Sequence, residues 1–228
     1  DKYYGDVSFR YDGSSKFAKD QRWGFFPSFS AAWRVSEEAF MKDLKWISNF
    51  KVRFGWGIVG NDRISNYLSM DLYTDNKYGI GNSTVTVLTP KQLKNSNLKW
   101  EGSSSVNLGL DLGFFDNRLN VTADFFIKNT KDLLLAQSLA QATGFTSQWQ
   151  NIGKIQNQGV ELMVNLTPVR TKDWTWDLGF TFTKNMSEVK ELWEGTDEYS
   201  YTNWRGVYYV LKVGEPVGMF RIPAANKV

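Results

Sequence analysis

Five segments of this chain show a strict two-residue alternation of apolar and polar side chains. They run from 50 to 58, 106 to 114, 119 to 127, 160 to 166 and 174 to 182. In each segment every second residue is apolar. The residues between are glycine, polar or charged, except Phe126 and Met163. A period of two places each set on one face of a β-strand. The pattern therefore predicts an all-β fold whose strands have one apolar and one polar face.

Three further segments, 3–12, 25–34 and 207–213, are predicted to be strands, although the apolar run of the last is nearly continuous instead of alternating. Most of the alternating strands run about nine residues, longer than the usual five or six. A strand of that length, when tilted, is long enough to cross a lipid bilayer.

The predicted connections are long on one side and short on the other. Long links cover 59–104, 129–157 and 184–205, whereas tight turns are expected at Asp116-Asn117 and at 168–173. This asymmetry is typical of antiparallel up-and-down transmembrane β-barrels. Aromatic residues also concentrate at the short-turn end, where a membrane girdle would lie. They are Trp33, Trp46, Phe114, Phe115, Trp174 and Trp176.

The turn at Asp116-Asn117 also predicts a strand register, because both residues tolerate positive φ. An even-numbered loop centred there pairs apolar residues with apolar residues and polar residues with polar ones. The predicted pairs are Phe114 with Leu119, Leu112 with Val121, Leu110 with Ala123, Leu108 with Phe125, Gly113 with Asn120 and Asp111 with Thr122.

Alternation alone also fits a soluble carbohydrate-binding β-sandwich or a small self-contained outer-membrane barrel. The composition of the polar face argues against both alternatives. It contains glycines such as Gly55 and Gly109 and charges such as Arg53 and Asp111, which suit the wall of a wide barrel around water or a plug. We therefore interpret residues 1–228 as part of one β-barrel domain, an arc of about eight strands from a larger transmembrane barrel.

Composition removes several function classes. The chain has no histidine and no cysteine, which excludes Ser-His-Asp and Cys-His catalysis and a His-ligated zinc site. A net charge of +3 is too small to indicate a nucleic-acid partner. The inner carboxylates Asp111, Asp124, Glu161 and Asp177 fall on separate strands, where they are expected to hydrate a lumen. We predict no enzyme activity, catalytic residue, metal site or cofactor.

Aromatic residues in the long links are the candidates for ligand contact, because such rings stack on sugars. Four are best placed, and packing of the links is the competing role for each. They are Trp149, Tyr199, Tyr201 and Trp204.

Short sequence motifs occur in order along the chain. Early motifs are Arg10-Tyr11-Asp12-Gly13-Ser14-Ser15-Lys16-Phe17, Arg22-Trp23-Gly24-Phe25-Phe26-Pro27-Ser28 with Ala32-Trp33-Arg34, and Val52-Arg53-Phe54-Gly55-Trp56-Gly57 with Gly60-Asn61. Later motifs are Asn97-Leu98-Lys99-Trp100-Glu101, Asn107-Leu108-Gly109-Leu110-Asp111, Asp132-Leu133-Leu134-Leu135, Asn151-Ile152-Gly153, Asn157-Gln158-Gly159-Val160-Glu161 and Val213-Gly214-Glu215-Pro216-Val217-Gly218. Together they resemble SusC/RagA-type TonB-dependent transporters, and the similarity spans nearly the whole chain in order.

This resemblance implies an outer-membrane barrel of about 22 strands around an N-terminal plug. It also implies a Gram-negative outer-membrane location, a SusD-like surface lipoprotein as partner, and uptake of oligosaccharides or peptides driven by TonB. The plug, the TonB-contacting segment and the remaining strands are not in this chain, so we expect it to be one section of the barrel wall, in contact with membrane lipid.

Overall fold

The computed structural model describes residues 1–193, 195–204 and 207–222, with only the backbone described for 201–204. Seven strands form one antiparallel sheet in the order β1-β2-β3-β6-β7-β10-β11. Their bounds are β1 Tyr3–Gly13, β2 Trp23–Arg34, β3 Ile47–Asn61, β6 Glu101–Phe114, β7 Leu119–Lys131, β10 Lys154–Arg170 and β11 Thr175–Glu191. Within the described residues β1 and β11 are edge strands that do not pair with each other, so the sheet is an open arc.

The long links contain small sheets of their own. Strands β4 (Tyr73–Ile80) and β5 (Ser83–Pro90) form one hairpin, and β8 (Leu134–Ser138) and β9 (Ser147–Asn151) form another. Strands β12 (Glu198–Trp204), β13 (Val207–Lys212) and β14 (Met219–Arg221) form a third sheet.

The strand predicted at 207–213 therefore exists as β13 but does not belong to the main sheet, which has seven strands instead of about eight. Its continuous apolar run explains this placement. The adjacent residues Val210 and Leu211 point to opposite sides of their strand, yet both are buried. A wall strand with one polar face would expose one of the two.

The helical residues are short 3-10 turns at Lys19–Gln21, Val35–Glu37, Ala39–Met41 and Gln141–Thr143. Among the described residues, no helix has the length and apolar character needed to cross a membrane.

The predicted hairpin register between β6 and β7 is confirmed at every predicted pair, from Leu108 opposite Phe125 to Phe114 opposite Leu119. Asp116 and Asn117 have φ values of 54° and 58°, in the left-handed region that the turn requires. Phe115 also adopts a positive φ of 54°, which the sequence did not indicate. Its N–H donates to the carbonyl oxygen of Trp46 at 2.9 Å, which ties this turn to the neighbouring β2–β3 link.

Several strands extend further toward the long links than the alternation predicted. Strand β11 continues to Glu191 instead of ending near 183, and β10 begins at Lys154 instead of 160. In these extensions, polar residues occupy the positions that are apolar in the rest of each strand. Gln156, for example, pairs with Asn129 on one side and with Glu188 on the other. Backbone pairing between the strands continues there, although the alternation of apolar and polar residues has ended. The alternation therefore predicted strands that are too short.

The register places all the alternating apolar residues on one face of the sheet, which we call the apolar face, and the glycines and charges on the other, the polar face. Many large side chains of the apolar face are solvent-exposed in this structure, among them Phe9 (67%), Leu108 (48%) and Phe180 (59%). Within the described residues no second sheet covers them. A β-sandwich would bury this face, so the sandwich interpretation does not fit the structure.

The short β2–β3 link is held against β1 and β2 through one carboxylate, Glu38. It accepts hydrogen bonds from the Tyr3 hydroxyl (2.6 Å), the Lys2 ammonium (2.9 Å) and the Trp33 indole N–H (3.2 Å). These donors stabilise the charged form, in that order of effect, and hold the pKa of Glu38 at about 2 instead of 4.5.

This pKa predicts an acid-sensitive stabilisation of the short-link end. In the complete protein, Glu38→Gln should lower the free energy of unfolding at pH 7. A lowered folded-state pKa stabilises above the unfolded pKa of 4.5, and that stabilisation is lost as the pH falls toward 2. Denaturant titrations of both proteins should therefore differ most above pH 5 and converge near pH 2. Glu37→Gln, on the exposed neighbour, is the control, and a pH-independent difference would contradict the assignment.

Candidate functional site

An ion cluster crosses three strands in the middle of the polar face. The Arg53 guanidinium on β3 donates from Nε to Asp111 Oδ2 at 2.8 Å, and its Nη2 lies 2.9 Å from Asp124 Oδ1 on β7. All three side chains are about one-third exposed or less. Because one cation is shared by two carboxylates, the three strands are cross-linked here, and the cluster keeps a net negative charge.

Gly109 makes this cluster possible. It lies on β6 between Arg53 and Asp124 in the register, and Arg53 must cross it to reach β7. A Cβ at Gly109 would lie 2.5 Å from Asp124 Oδ1 and 2.6 Å from Arg53 Cζ. The glycine therefore leaves room for the guanidinium to lie flat against the sheet.

At the long-link end of the sheet, residues from three links form a small hydrophobic core, the link core. Phe17 and Leu98 are fully buried, and Ile64 and Leu134 nearly so. Trp100 joins the link core to the strands. Its ring lies 5.6 Å from Phe17 and 5.3 Å from Phe26, and its indole N–H donates to the Arg22 carbonyl oxygen at 2.9 Å.

The side chain of Asn151 fixes the links around this core through backbone groups. It accepts from the Lys99 N–H at 2.8 Å and donates to the carbonyl oxygens of Lys99 (2.8 Å) and Asp132 (3.0 Å). The Asn151 side chain therefore satisfies backbone groups of a different link as well as of its own, and it connects segments that are far apart in sequence.

A second buried group, Val189, Leu192 and Leu211, lies beside β11. The β8–β9 hairpin contacts both groups, since Leu134 packs in the link core and Leu135 packs against the second group. The long links are thereby joined into a continuous packed layer.

The aromatic candidates for ligand contact lie in this layer. Trp149 packs against the link core and also lines a cleft of about 330 Å³ with Gln92, Phe145 and Gln148. Tyr199 packs on the second group, contacts Trp193 edge-on at 4.8 Å and donates to the Ala136 carbonyl oxygen at 2.7 Å. Burial raises the pKa of Tyr199. The side chains of Tyr201 and Trp204 lie outside the described residues.

Aromatic pairs mark both ends of the apolar face on β1 and β2. Tyr3 stacks on Trp33 at 6.4 Å near the short links, as expected for the predicted girdle, where Trp46 also stacks on Phe114 at 5.6 Å. At the long-link end Tyr11 stacks on Trp23 at 5.1 Å. This second row was not predicted, because its residues lie at the strand ends beside the first link.

Within the described residues, no group of three or more acidic side chains is close enough to hold a metal ion. In the middle of the polar face, the charged side chains instead pair with one another across neighbouring strands.

Comparison with known proteins agrees with this geometry. Residues 1–218 match the family model described as TonB dependent receptor-like, beta-barrel. The TonB-dependent receptor SusC of Bacteroides thetaiotaomicron is 39% identical over 206 residues, which cover 88% of this chain and 20% of that protein. A TonB-dependent receptor of Formosa agariphila is 38% identical over 217 residues, covering 95% of this chain and 20% of the relative.

Solved structures show the same fold. The RagAB peptide transporter matches with a TM-score of 0.83 and 31% identity, covering 95% of this chain and 23% of the matched one. The RagAB peptide importer in its open-open state gives 0.84 and 32%, covering 94% and 23%. The chain thus spans about a fifth of the length of the curated relatives it matches. By sequence and by fold, this chain belongs to the TonB-dependent receptor β-barrel family, as a section of the barrel wall.

Proposed function

We propose that this chain forms a lipid-facing section of an outer-membrane transporter that imports oligosaccharides or peptides. The observation that carries the proposal is the uncovered apolar face, bounded by aromatic pairs at both ends. From Tyr3 to Tyr11 a strand rises about 20 Å along the membrane normal if tilted by about 40°. The lipid-facing band of such barrels is about 25 Å tall.

The polar face then faces the lumen, and the Arg53 cluster cross-links the wall beside the transport path. An open seven-stranded arc needs further strands at β1 and β11 to close, and the relatives' greater length supports their presence in the complete protein. The family expectation adds a plug, TonB as energy source and a SusD-like surface lipoprotein as partner. Trp149, beside its cleft, is the proposed ligand contact among the described aromatic candidates.

The lipid-facing assignment predicts opposite environments for two neighbouring residues. In the complete transporter reconstituted in bilayers, a fluorophore at Leu110→Cys should be quenched by brominated acyl chains, and one at Asp111→Cys should not. Leu110 is 37% exposed on the apolar face, whereas Asp111 accepts from Arg53 on the polar face. Equal quenching at both positions, or at neither, would rule out a membrane wall.

The long links are proposed to lie outside the cell and the short turns in the periplasm, because such barrels have long outer loops. An impermeant maleimide applied to intact cells should label Asn82→Cys, at the tip of the β4–β5 hairpin. It should not label Lys172→Cys, in the turn between β10 and β11. Both residues are exposed, so accessibility of the side chain is matched. Labelling of position 172 alone would invert the orientation.

The wall cluster predicts a cost for a single methyl group at Gly109. Gly109→Ala should lower the stability of the complete transporter by on the order of 1 kcal/mol, because the methyl displaces Arg53 from Asp124. Gly55→Ala, on the same face, is the matched control, since a Cβ there meets nothing within 4 Å. Denaturant titration measures both, and equal effects would show that Gly109 has no spacing role.

A further inference from the structure

A second polar site lies on the polar face, nearer the long links than the Arg53 cluster. It is a cavity of about 390 Å³ spanning three strands. Its lining includes Arg63 just after β3, Glu101, Ser103 and Ser105 on β6, and Lys128 on β7. The register places Ser105 directly opposite Lys128, so these groups share one face of the wall.

Cations outnumber carboxylates here, with Arg63 and Lys128 against Glu101, whereas around Arg53 one cation faces two carboxylates. Glu101 is already engaged, since one carboxylate oxygen accepts from Asn61 Nδ2 at 3.0 Å and the other from the Leu134 N–H at 3.1 Å. Arg63 and Lys128 are both exposed, and among the described residues neither side chain has an ion-pair or hydrogen-bond partner. Two cations with open donors therefore line one cavity whose single carboxylate is committed elsewhere.

We propose that this cavity binds a carboxylate group carried by the imported solute. The inference rests on the proposed function, because it requires the polar face to line the transport path. Arg63 offers a planar fork of N–H donors that matches a carboxylate, and Lys128 adds a compact positive charge. Uronic-acid oligosaccharides and acidic oligopeptides both present this group. The site favours anionic over neutral members of either class.

The electrostatic part of the proposal can be tested without knowing the solute. This chain contains no cysteine, so Ser105→Cys provides a reporter within the cavity of the purified complete transporter, in a background lacking other accessible cysteines. With each rate divided by that of the same reagent with a free thiol in solution, a sulfonate-bearing methanethiosulfonate should modify it faster than an ammonium-bearing one. If Ser105→Cys fails to fold, Val59→Cys replaces it, because Val59 lines the same cavity and is 60% exposed.

Removing either cation should lower the anionic-to-cationic rate ratio by about threefold or more at low salt. The variants are Arg63→Gln and Lys128→Gln. The matched control is Lys131→Gln, which removes the same charge from an exposed residue of the same strand on the opposite face. A ratio that is unchanged by the first two variants, or that falls equally with the control, would overturn the proposal.

A second experiment asks whether small probes that occupy the cavity protect the reporter cysteine from modification by the methanethiosulfonate. Trigalacturonate, triglutamate, or both should slow its modification, and the responding probe identifies the carbohydrate or peptide source. Neutral maltotriose and trialanine should protect at least threefold less. Equal protection by neutral and acidic probes, or none by any, would overturn anion selectivity. Acyl-chain quenching at position 110 reports separately on the membrane wall, so its failure is distinguishable from failure of this site.

Discussion

The hydrogen-bonded register of the seven antiparallel strands is the constraint on which the rest of this structure depends. Because side chains alternate with a period of two, a slip of one residue in any strand would move its apolar residues to the polar face. The pairing of β6 with β7 avoids this, keeping Leu110 beside Ala123 and Asp111 beside Thr122. The apolar face, the aromatic rows and the polar face all follow from that alignment.

The same alignment places two different arrangements of charge along the polar face. In the middle of the wall Arg53 is shared between Asp111 and Asp124, and its path over Gly109 makes the contact a bond across three strands. Toward the long links, Glu101 is committed to neutral donors and the nearby cations are left open. The charges in the middle of the wall are paired across strands, whereas those of Arg63 and Lys128 are exposed.

The long links combine a packed base with projecting parts. The link core around Phe17 and Leu98 joins links that are distant in sequence, and the β8–β9 hairpin extends this packing to the second buried group. The β4–β5 hairpin, in contrast, is mostly exposed on both faces. The long links therefore combine a buried, packed part with an exposed hairpin.

The sequence by itself determined the fold class, the two faces of each strand, the β6–β7 register and the short-turn girdle, because these depend on residues adjacent in the chain or joined by a tight turn. It did not determine where β13 would go, how far β11 extends, or that Arg53 meets Asp124. The Arg53 contact depends on β3 and β6, whose pairing across a long link leaves no local signal. The extension of β11 depends on ladder pairing with β10 that continues beyond the apolar alternation. Only the tertiary structure decided them, since burial in the links and contacts across the sheet arise when distant segments pack together.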